Sequence, residues 1–270
     1  MTQSVSILGL PVADRHDNGA FGATRDSGSR YSFRMSPRSW TREQLLTTLA
    51  LYCQTPFGRM HKGNPAIIAL GAVIDRTPSA VALKLVNFAS LDPELSRRGV
   101  GGMGNTSAAD RGVWEEFYGR WEVLAEHATI LEAPARGTPS DLADSATSPA
   151  GAGEERVTEV AREIMVRRGQ SFFRAAVLAG YEGKCCVTGI TSEALLRASH
   201  IVPWAHDPAL RLDPRNGLCL NALHDAAFDR GLITFSERFE LVLSKKIKDE
   251  VPGDVFAEMF EGRAGRLIAM

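Results

Sequence analysis

Residues 198–204 are Ala-Ser-His-Ile-Val-Pro-Trp, and Asn216-Gly217-Leu218 and Leu223-His224-Asp225 follow them. A histidine, an asparagine and a second histidine therefore fall within 25 residues, in a segment that alternates short apolar runs with turn residues. The whole chain has six histidines, and three of them lie in this window. Imidazole titrates close to neutral pH, so such a concentration marks the segment as the best candidate for chemistry.

Other short motifs accompany this window in a consistent order. The set as a whole resembles one branch of the HNH endonucleases, the branch found in restriction and antiviral nucleases, and it covers about a quarter of the chain. The motifs are R-x-G-Q-x-x-F-R ending at Arg174, C-x-V-T-G at 185–189, S-H-I-x-P-W at 199–204, N-G-L at 216–218 and F-D-x-G-L-I at 228–233.

The resemblance implies a ββα-metal motif, in which a two-stranded hairpin and a following helix hold one divalent cation. It implies that His200, in the first strand, is the general base, and that Asn216 ties the hairpin loop together and so aims the histidine. It also implies that His224, in the first turns of the helix that the predicted cap Asn221 begins, is a metal ligand. A neutral imidazole is suited to the first of these roles at cellular pH.

The second metal ligand is left open by the residues. Many relatives have an aspartate or histidine directly before the base, whereas this chain has Ser199, whose hydroxyl is a weak ligand. Water, substrate phosphate or Asp229 are the alternatives, although Asp229 follows His224 by five residues and is not quite on the same helix face. We expect Mg²⁺ or Mn²⁺, with Ni²⁺ as a further option. Arg211 and Arg215 are candidate phosphate contacts.

A structural zinc site is not expected. Cys185 and Cys186 are adjacent, and neighbouring residues of a strand point to opposite faces. Cys219 alone cannot complete a tetrahedral site. The four cysteines form neither a disulfide framework nor paired C-x-x-C motifs, which favours a reducing cytoplasm.

The composition limits the other classes of protein. Hydrophobic residues make up 44% of the 270 residues, enough for a large core, and the net charge of -1 neither favours nor excludes a nucleic-acid partner. No signal sequence and no run of about 18 apolar residues is found, so we expect no membrane partner. We expect DNA as the partner and allow for a homodimer.

The predicted fold class is α+β, with four segments. Residues 1–36 and the linker 133–153 are rich in small and polar residues and lack an apolar stripe. Residues 37–132 are predicted to form a helical domain, and 154–270 the nuclease domain. Within residues 154–270, we expect a helix to about Arg168, a break at Gly169-Gln170, a second helix, and a strand at 185–189.

The helical domain has clear helix-start signals. Thr41 with Gln44 suits a capping box, and Asn64-Pro65 and Thr77-Pro78 open two more helices. A fourth helix is predicted from Trp114 to Leu124. The second and third predicted helices resemble a helix-turn-helix, in which Lys84 and Asn87 would face DNA. Any small helical bundle, however, contains two helices joined in this way.

The sequence thus favours a metal-dependent DNA endonuclease, acting in restriction or defence, with the helical domain recognising the target. Two alternatives stay open. One is a DNA-binding regulator with a degenerate nuclease domain, which Ser199 supports and the intact His200, Asn216 and His224 oppose. The other is an effector nuclease gated by a partner or small signal at the helical domain.

Overall fold

A computed structural model describes residues 39–99, 101, 104, 106–128 and 154–269. In the helix that begins at residue 154, the side chains are described only from residue 163 onward. The chain divides into two units, Met1–Ser39 and Trp40–Met270. The first unit lies almost wholly outside the described residues, as do the segment 1–36 and the linker 133–153 predicted above. The description below therefore concerns the second unit.

The first part of this unit is helical, and the predicted helix starts are confirmed. Thr41 forms the capping box with Gln44, and the side chains of Asn64 and Thr77 cap the next two helices, each followed by proline. The six helices are α1 (Arg42–Cys53), α2 (Pro65–Val73), α3 (Pro78–Ala89), α4 (Pro93–Arg97), α5 (Ala108–Phe117) and α6 (Trp121–Ala128).

The single fourth helix predicted from Trp114 to Leu124 is wrong. The chain instead turns between α5 and α6, where Tyr118 is extended and Gly119 has a φ of +96°. Glycine adopts this left-handed conformation without the steric cost that a Cβ imposes. The apolar residues of both helices continue the same spacing, which is why the turn was missed.

The second part begins with one long helix, α7 (Glu154–Gly180). The predicted break at Gly169 is wrong, because the glycine serves packing rather than ending the helix. A Cβ on Gly169 would lie 3.0 Å from Leu212 Cδ2, so its absence lets the loop that carries Leu212 lie against α7. Glycine inside a helix costs about 1 kcal/mol relative to alanine, which close packing offsets here.

The predicted hairpin and helix follow. Strands β1 (Leu196–His200) and β2 (Gly217–Asn221) pair antiparallel, with His200 opposite Gly217, and α8 (Ala222–Asp229) begins directly after β2. Asn221 caps α8 as predicted, accepting hydrogen bonds from two backbone N–H groups. A second hairpin and two short helices complete the chain: β3 (Ile233–Phe235), β4 (Leu241–Leu243), α9 (Ile247–Glu250) and α10 (Gly253–Met259).

The strand predicted at 185–189 is wrong, because this segment is a closed turn. Gly189 N–H donates to the carbonyl of Cys185, and Cys185 N–H donates to that of Ile190. The segment still lies beside the hairpin, since Cys186 N–H donates to the carbonyl of Cys219 in β2.

The described helices before and after the gap share one buried core. Leu85, Phe88 and Leu124 from the first part belong to the same apolar cluster as Phe172 and Leu220 from the second. A smaller cluster lies under β3, β4, α9 and α10. The fold is therefore α+β, and the domain boundaries inferred from the sequence stay predictions.

None of the described helices is by itself long and apolar enough to cross a membrane. Helices α2 and α3 reach that threshold only as a pair, and they are bent by 108° relative to each other. Ile67, Leu70 and Leu85 of this pair are fully buried in the helical core.

Candidate active site

The candidate site is a cleft of about 500 Å³ between the N-terminal half of the hairpin, α7 and α8. Helix α7 contributes Phe173 and Arg174, strand β1 contributes Ser199 and His200, and the other lining residues include Arg197, Trp204, Asp225 and Asp229. The local fold explains the convergence, because α8 starts where β2 ends and packs back on the hairpin. The cleft therefore combines an imidazole, two carboxylates and two guanidinium groups.

His200 is held in one ring orientation. Its Nε2 lies 2.9 Å from the carbonyl oxygen of Arg211, and the ring stacks on Phe173 with centroids 3.9 Å apart and planes 5° apart. A carbonyl oxygen only accepts, so Nε2 carries the hydrogen of the neutral ring. The lone pair that can accept a proton is therefore on Nδ1.

Asn216 fastens the loop between β1 and β2. Its side-chain oxygen accepts from Val202 N–H at 2.8 Å, while its amide nitrogen donates to the carbonyl oxygens of Val202 and Leu210 at 3.0 and 3.1 Å. The side chain is buried, so these bonds are not exchanged with water. The bonds hold the loop that carries Arg211, and the Arg211 carbonyl in turn orients His200.

Ser199 and Asp225 form a pair across the hairpin and α8. The buried Ser199 hydroxyl donates to a carboxylate oxygen of Asp225, and the exposed Asp229 lines the same cleft one helical turn further on. Oxygen donors of this kind suit Mg²⁺, which binds one or two carboxylates and keeps several waters. In the described part of the chain, no three His, Cys, Asp or Glu side chains converge as a metal-binding group. The residues present thus fit a hard cation held by few protein ligands.

His224 lies in the first turn of α8 as predicted but does not line the cleft, so its role as a metal ligand stays a prediction. The ring is fully buried, with Nε2 3.0 Å from the Met259 carbonyl oxygen and Nδ1 3.1 Å from Asn221 Oδ1. Burial lowers the pKa of His224 and so keeps the ring neutral, although the bond to Met259 opposes this shift. Helix α8 turns this side chain toward α10 rather than toward His200.

Asp225 is a candidate site residue that the sequence analysis did not single out. The signal was its spacing of four residues from Asp229, which places both carboxylates on one face of a helix. Five residues separate His224 from Asp229, and the two do not share that face. The spacing along the helix therefore favours Asp225 with Asp229, rather than His224 with Asp229, as two side chains on one face.

Arg174 and Arg197 line the cleft and were not singled out either. Arg174 donates from α7 to the carbonyl oxygens of Leu196 and Glu193, at 2.9 and 3.2 Å, and so fixes the start of β1. Arg197 is exposed and donates to the carbonyl oxygen of Ala194. Both bring positive charge to the cleft.

The two arginines predicted to contact phosphate differ in setting. Arg211 is half-buried, donates to the Trp204 carbonyl at 2.8 Å and lies over the Trp204 ring. The Arg215 side chain is 73% exposed, and its Nε donates to Asp213 at 2.9 Å. Much of the Arg215 side chain is therefore exposed to a ligand, whereas less of the Arg211 side chain is exposed.

Asp213 links this loop to the helical part of the chain. Burial alone would raise the pKa of Asp213, but the hydrogen bonds from Arg215, joined by one from the Trp121 side chain, hold it below its ordinary value. Asp213 also caps the short turn that contains Asn216. Trp121, the first residue of α6, thus lies beside the turn that contains Asn216.

Lys84 and Asn87, which were predicted to face DNA, face Asp110 in the helical core, and their contact with DNA stays a prediction. Both are buried in α3, where Lys84 Nζ lies 2.8 and 3.0 Å from the two oxygens of Asp110, and Asn87 donates to Asp110 at 3.3 Å. Asp110 is itself fully buried, so the cation neutralises it inside the helical core. The side of α3 that carries Lys84 and Asn87 therefore faces the helical core.

The cysteines near the hairpin have structural roles. Cys185 Sγ accepts from the backbone N–H of Asn221 at 3.2 Å and so supports the start of α8. Burial, and then the neighbouring Cys185, raises the pKa of Cys219 to about 12. The Cys219 thiol therefore stays protonated at neutral pH, which suits packing rather than reaction.

Comparison with known proteins gives a family match for the segment that contains the cleft residues of the hairpin and α8. A search of the curated proteins found no match. A scan against protein-family models found one, which covers the turn at Cys185, both strands of the first hairpin, α8 and β3. Residues 185–236 match the model of the HNH endonuclease family.

Proposed function

We propose that the chain is a divalent-metal-dependent DNA endonuclease. One observation carries the proposal: the cleft in the HNH domain combines an oriented imidazole, His200, with the Ser199–Asp225 pair. Phosphodiester hydrolysis needs a base for the attacking water and positive charge near the phosphoryl oxygens, and both can be provided here.

His200 acts as the general base. Its Nδ1 accepts a proton from a water molecule as the water oxygen bonds to phosphorus, and the bond from phosphorus to the leaving ribose oxygen breaks. The leaving oxygen then takes up a proton from solvent. Phe173 and the Arg211 carbonyl keep the imidazole from rotating, which reduces the entropy lost on reaching the transition state.

Asp225 would hold the cation, with Ser199 and Asp229 as further oxygen donors. When bound, a divalent ion stabilises negative charge on the phosphoryl and leaving oxygens. Mg²⁺ and Mn²⁺ suit these donors best, and Ni²⁺ is a third ion to test. Arg174, Arg197 and the exposed Arg215 would bind phosphates of the DNA backbone.

The helical part would regulate or position the nuclease rather than read DNA through α3. Trp121 contacts Asp213 on the catalytic loop, and Lys84 and Asn87 are buried. This contact favours an effector nuclease gated by a partner or small signal bound at the helices. A role in restriction or defence against foreign DNA is compatible with control by a partner or by a small signal.

A plasmid cleavage assay tests the proposal. Purified protein is incubated with supercoiled DNA and Mg²⁺, Mn²⁺ or Ni²⁺, and the His200→Ala variant is the matched control. We expect metal-dependent nicking that falls 10²–10⁴-fold, roughly the usual contribution of a general base, in the variant, while DNA binding is retained. A variant with more than about a tenth of the wild-type rate would exclude His200 as the base.

The same assay decides the remaining alternative, a DNA-binding regulator with a degenerate nuclease domain. Ser199 at the position directly before the base supports that alternative, because a hydroxyl is a weaker ligand than a carboxylate. Tight DNA binding without cleavage in any of the three metals would establish it.

A further inference from the structure

A second cavity, of about 310 Å³, adjoins the catalytic cleft and has no part in the mechanism above. It lies between α6, α7 and the loop that follows β1. Its walls are mainly apolar, with charged side chains among them. The apolar residues are Ala125, Met165, Val166, Gly169, Pro208 and Leu212.

Trp204 joins the two cavities, because it lines both of them. Its ring also meets the His200 ring edge to face, with centroids 5.6 Å apart. A molecule whose phosphate lies beside His200 can therefore extend past Trp204 into the second cavity. A phosphate alone does not need an apolar compartment, but the base of an adjacent nucleotide does.

We propose that the second cavity binds one unpaired base of the DNA that is cut in the cleft, an inference that rests on the proposed nuclease function. A base is a flat ring with apolar faces, and it binds on aromatic side chains and guanidinium groups. Trp204 and the Arg211 guanidinium, 5.5 Å from the Trp204 ring, form such a surface. Arg168 and Arg211 also bring positive charge to the phosphates on either side of the base.

Two acidic residues line the cavity, Glu122 and Glu126, and their carboxylates set the class of base. A carboxylate only accepts hydrogen bonds, so it selects an edge that donates them. Guanine has two adjacent donors on its Watson–Crick edge, N1–H and the N2 amino group, and these match the two oxygens of one carboxylate. The base must leave the stack to reach the cavity, as in enzymes that bind extruded bases. The cavity therefore selects guanine.

The first test blocks the cavity and leaves the cleft intact. A DNA substrate with randomised sequence is cut by wild-type protein, and the ends of the products are sequenced. We expect enrichment of guanine at one fixed position within about two nucleotides of the cut, by roughly fivefold or more, the usual discrimination of a good carboxylate–base or arginine–base pair. In Val166→Trp, which fills the cavity, this enrichment should disappear.

Ile164→Trp is the matched control for that variant. Ile164 lies on the same helix with 43% exposure, against 40% for Val166, but it does not line the cavity. The control should cut with the wild-type preference. A guanine preference that persists in Val166→Trp would overturn the proposal.

The second test changes the chemistry without changing the shape. Glu122→Gln replaces one acceptor oxygen by a donor and should lower the guanine enrichment at least fivefold, about the loss of one good pair. Glu115→Gln, on the exposed surface of α5, should not. An unchanged preference in both Glu122→Gln and Glu126→Gln would overturn the guanine assignment even if Val166→Trp failed to fold.

The two proposals fail in different ways. Wild-type protein that cuts DNA with no base preference near the cut overturns the base cavity and leaves the nuclease intact. Wild-type protein that cuts no DNA in any of the metals overturns the nuclease, and the base cavity with it.

Discussion

At the scale of single residues, the two neighbours His224 and Asp225 have opposite roles. His224 is fully buried and bonded to the Met259 carbonyl oxygen, whereas Asp225 faces the catalytic cleft and accepts from Ser199. A rotation of about 100° per residue along α8 separates their side chains. The proposed metal site therefore depends on which of the two faces the hairpin.

We predict that Asp225→Asn weakens metal binding and lowers cleavage about 100-fold or more, since a metal ligand's loss removes charge stabilisation at the phosphate. Calorimetric titration with Mn²⁺ measures the affinity, and high Mn²⁺ should restore part of the activity. Asp229→Asn should have a smaller effect on the affinity, because Asp229 is exposed at the end of α8.

His224→Phe is the control for Asp225→Asn. It removes the ring nitrogen that bonds to the half-buried Met259 carbonyl oxygen and should lower the free energy of unfolding by about 1–3 kcal/mol. The affinity for Mn²⁺ should not change. A His224→Phe protein that folds normally but no longer binds metal would instead identify His224 as a metal ligand.

A second prediction concerns Gly217, the residue paired with His200 across the hairpin. A Cβ at this position would lie 2.2 Å from Val177 Cγ2 and 3.0 Å from Phe173 Cζ, so Gly217→Ala must separate β2 from α7. We expect a loss of about 1–3 kcal/mol in the free energy of unfolding, the usual cost of overpacking. Cleavage should fall as well, because Phe173 stacks on His200.

Gly112→Ala is the comparison for that variant. No atom lies within 4 Å of its added Cβ, and Gly112 is inside α5, so alanine should raise the free energy of unfolding by up to about 1 kcal/mol. Denaturant titration measures both variants. Equal stability of the two would show that β2 and α7 can separate at little cost.

At the scale of elements, the loop between β1 and β2 is held from two sides. Asn216 clamps it from within, and Trp121 at the start of α6 contacts Asp213 from outside. The tight fit of α7 against Gly217 and Leu212 adds a third support. The base is thus oriented by elements that are distant in sequence.

We predict that Trp121→Phe lowers kcat about 10-fold while KM changes little. Loss of the indole N–H leaves the buried Asp213 with one donor fewer, at a cost of about 1.5–3 kcal/mol, so the loop that orients His200 loosens. Steady-state cleavage of a short duplex gives both constants. A role in packing alone would instead lower stability with kcat unchanged.

Trp114→Phe is the matched variant in the same row of aromatic rings. Trp114 stacks on Tyr118 with centroids 3.9 Å apart, and Tyr118 in turn packs edge to face on Trp121. It should lower stability without lowering kcat. Equal losses of kcat in the two variants would assign the effect to the helical core in general.

At the scale of the whole molecule, the described residues before and after the gap share a core and are joined by an exposed ion pair between Arg98 and Glu182 at 2.6 Å. Such a surface ion pair contributes little by itself, about 0–1 kcal/mol. The shared apolar core carries the association.

We predict that cutting the chain between residues 133 and 153 leaves the two pieces bound to each other. The composition of this segment predicts a site of protease attack, and the core that joins Leu124 to Phe172 stays buried after the cut. Limited proteolysis followed by gel filtration should give one peak in native buffer and two in denaturant. Two peaks in native buffer would show that the parts are independent domains.

The sequence was sufficient for local features. The capping residues Thr41, Asn64, Thr77 and Asn221 each carry a side chain that bonds to the first turn of the helix that follows, so a few adjacent positions contain the whole signal. The order of the motifs around His200 likewise identified the hairpin, the helix after it and the HNH domain that the family comparison supports.

Tertiary structure decided what depends on partners far away in the chain. Gly169 continues a helix because Leu212 packs against it, and Lys84 is buried because Asp110 lies opposite. The same holds for the site: α10 receives His224 and the hairpin receives Asp225. Sequence spacing states which residues can share a helix face, but only the packing of that helix determines which face meets the base. The physical reason is that burial and hydrogen-bond partners are set by contacts between segments, which no local pattern contains.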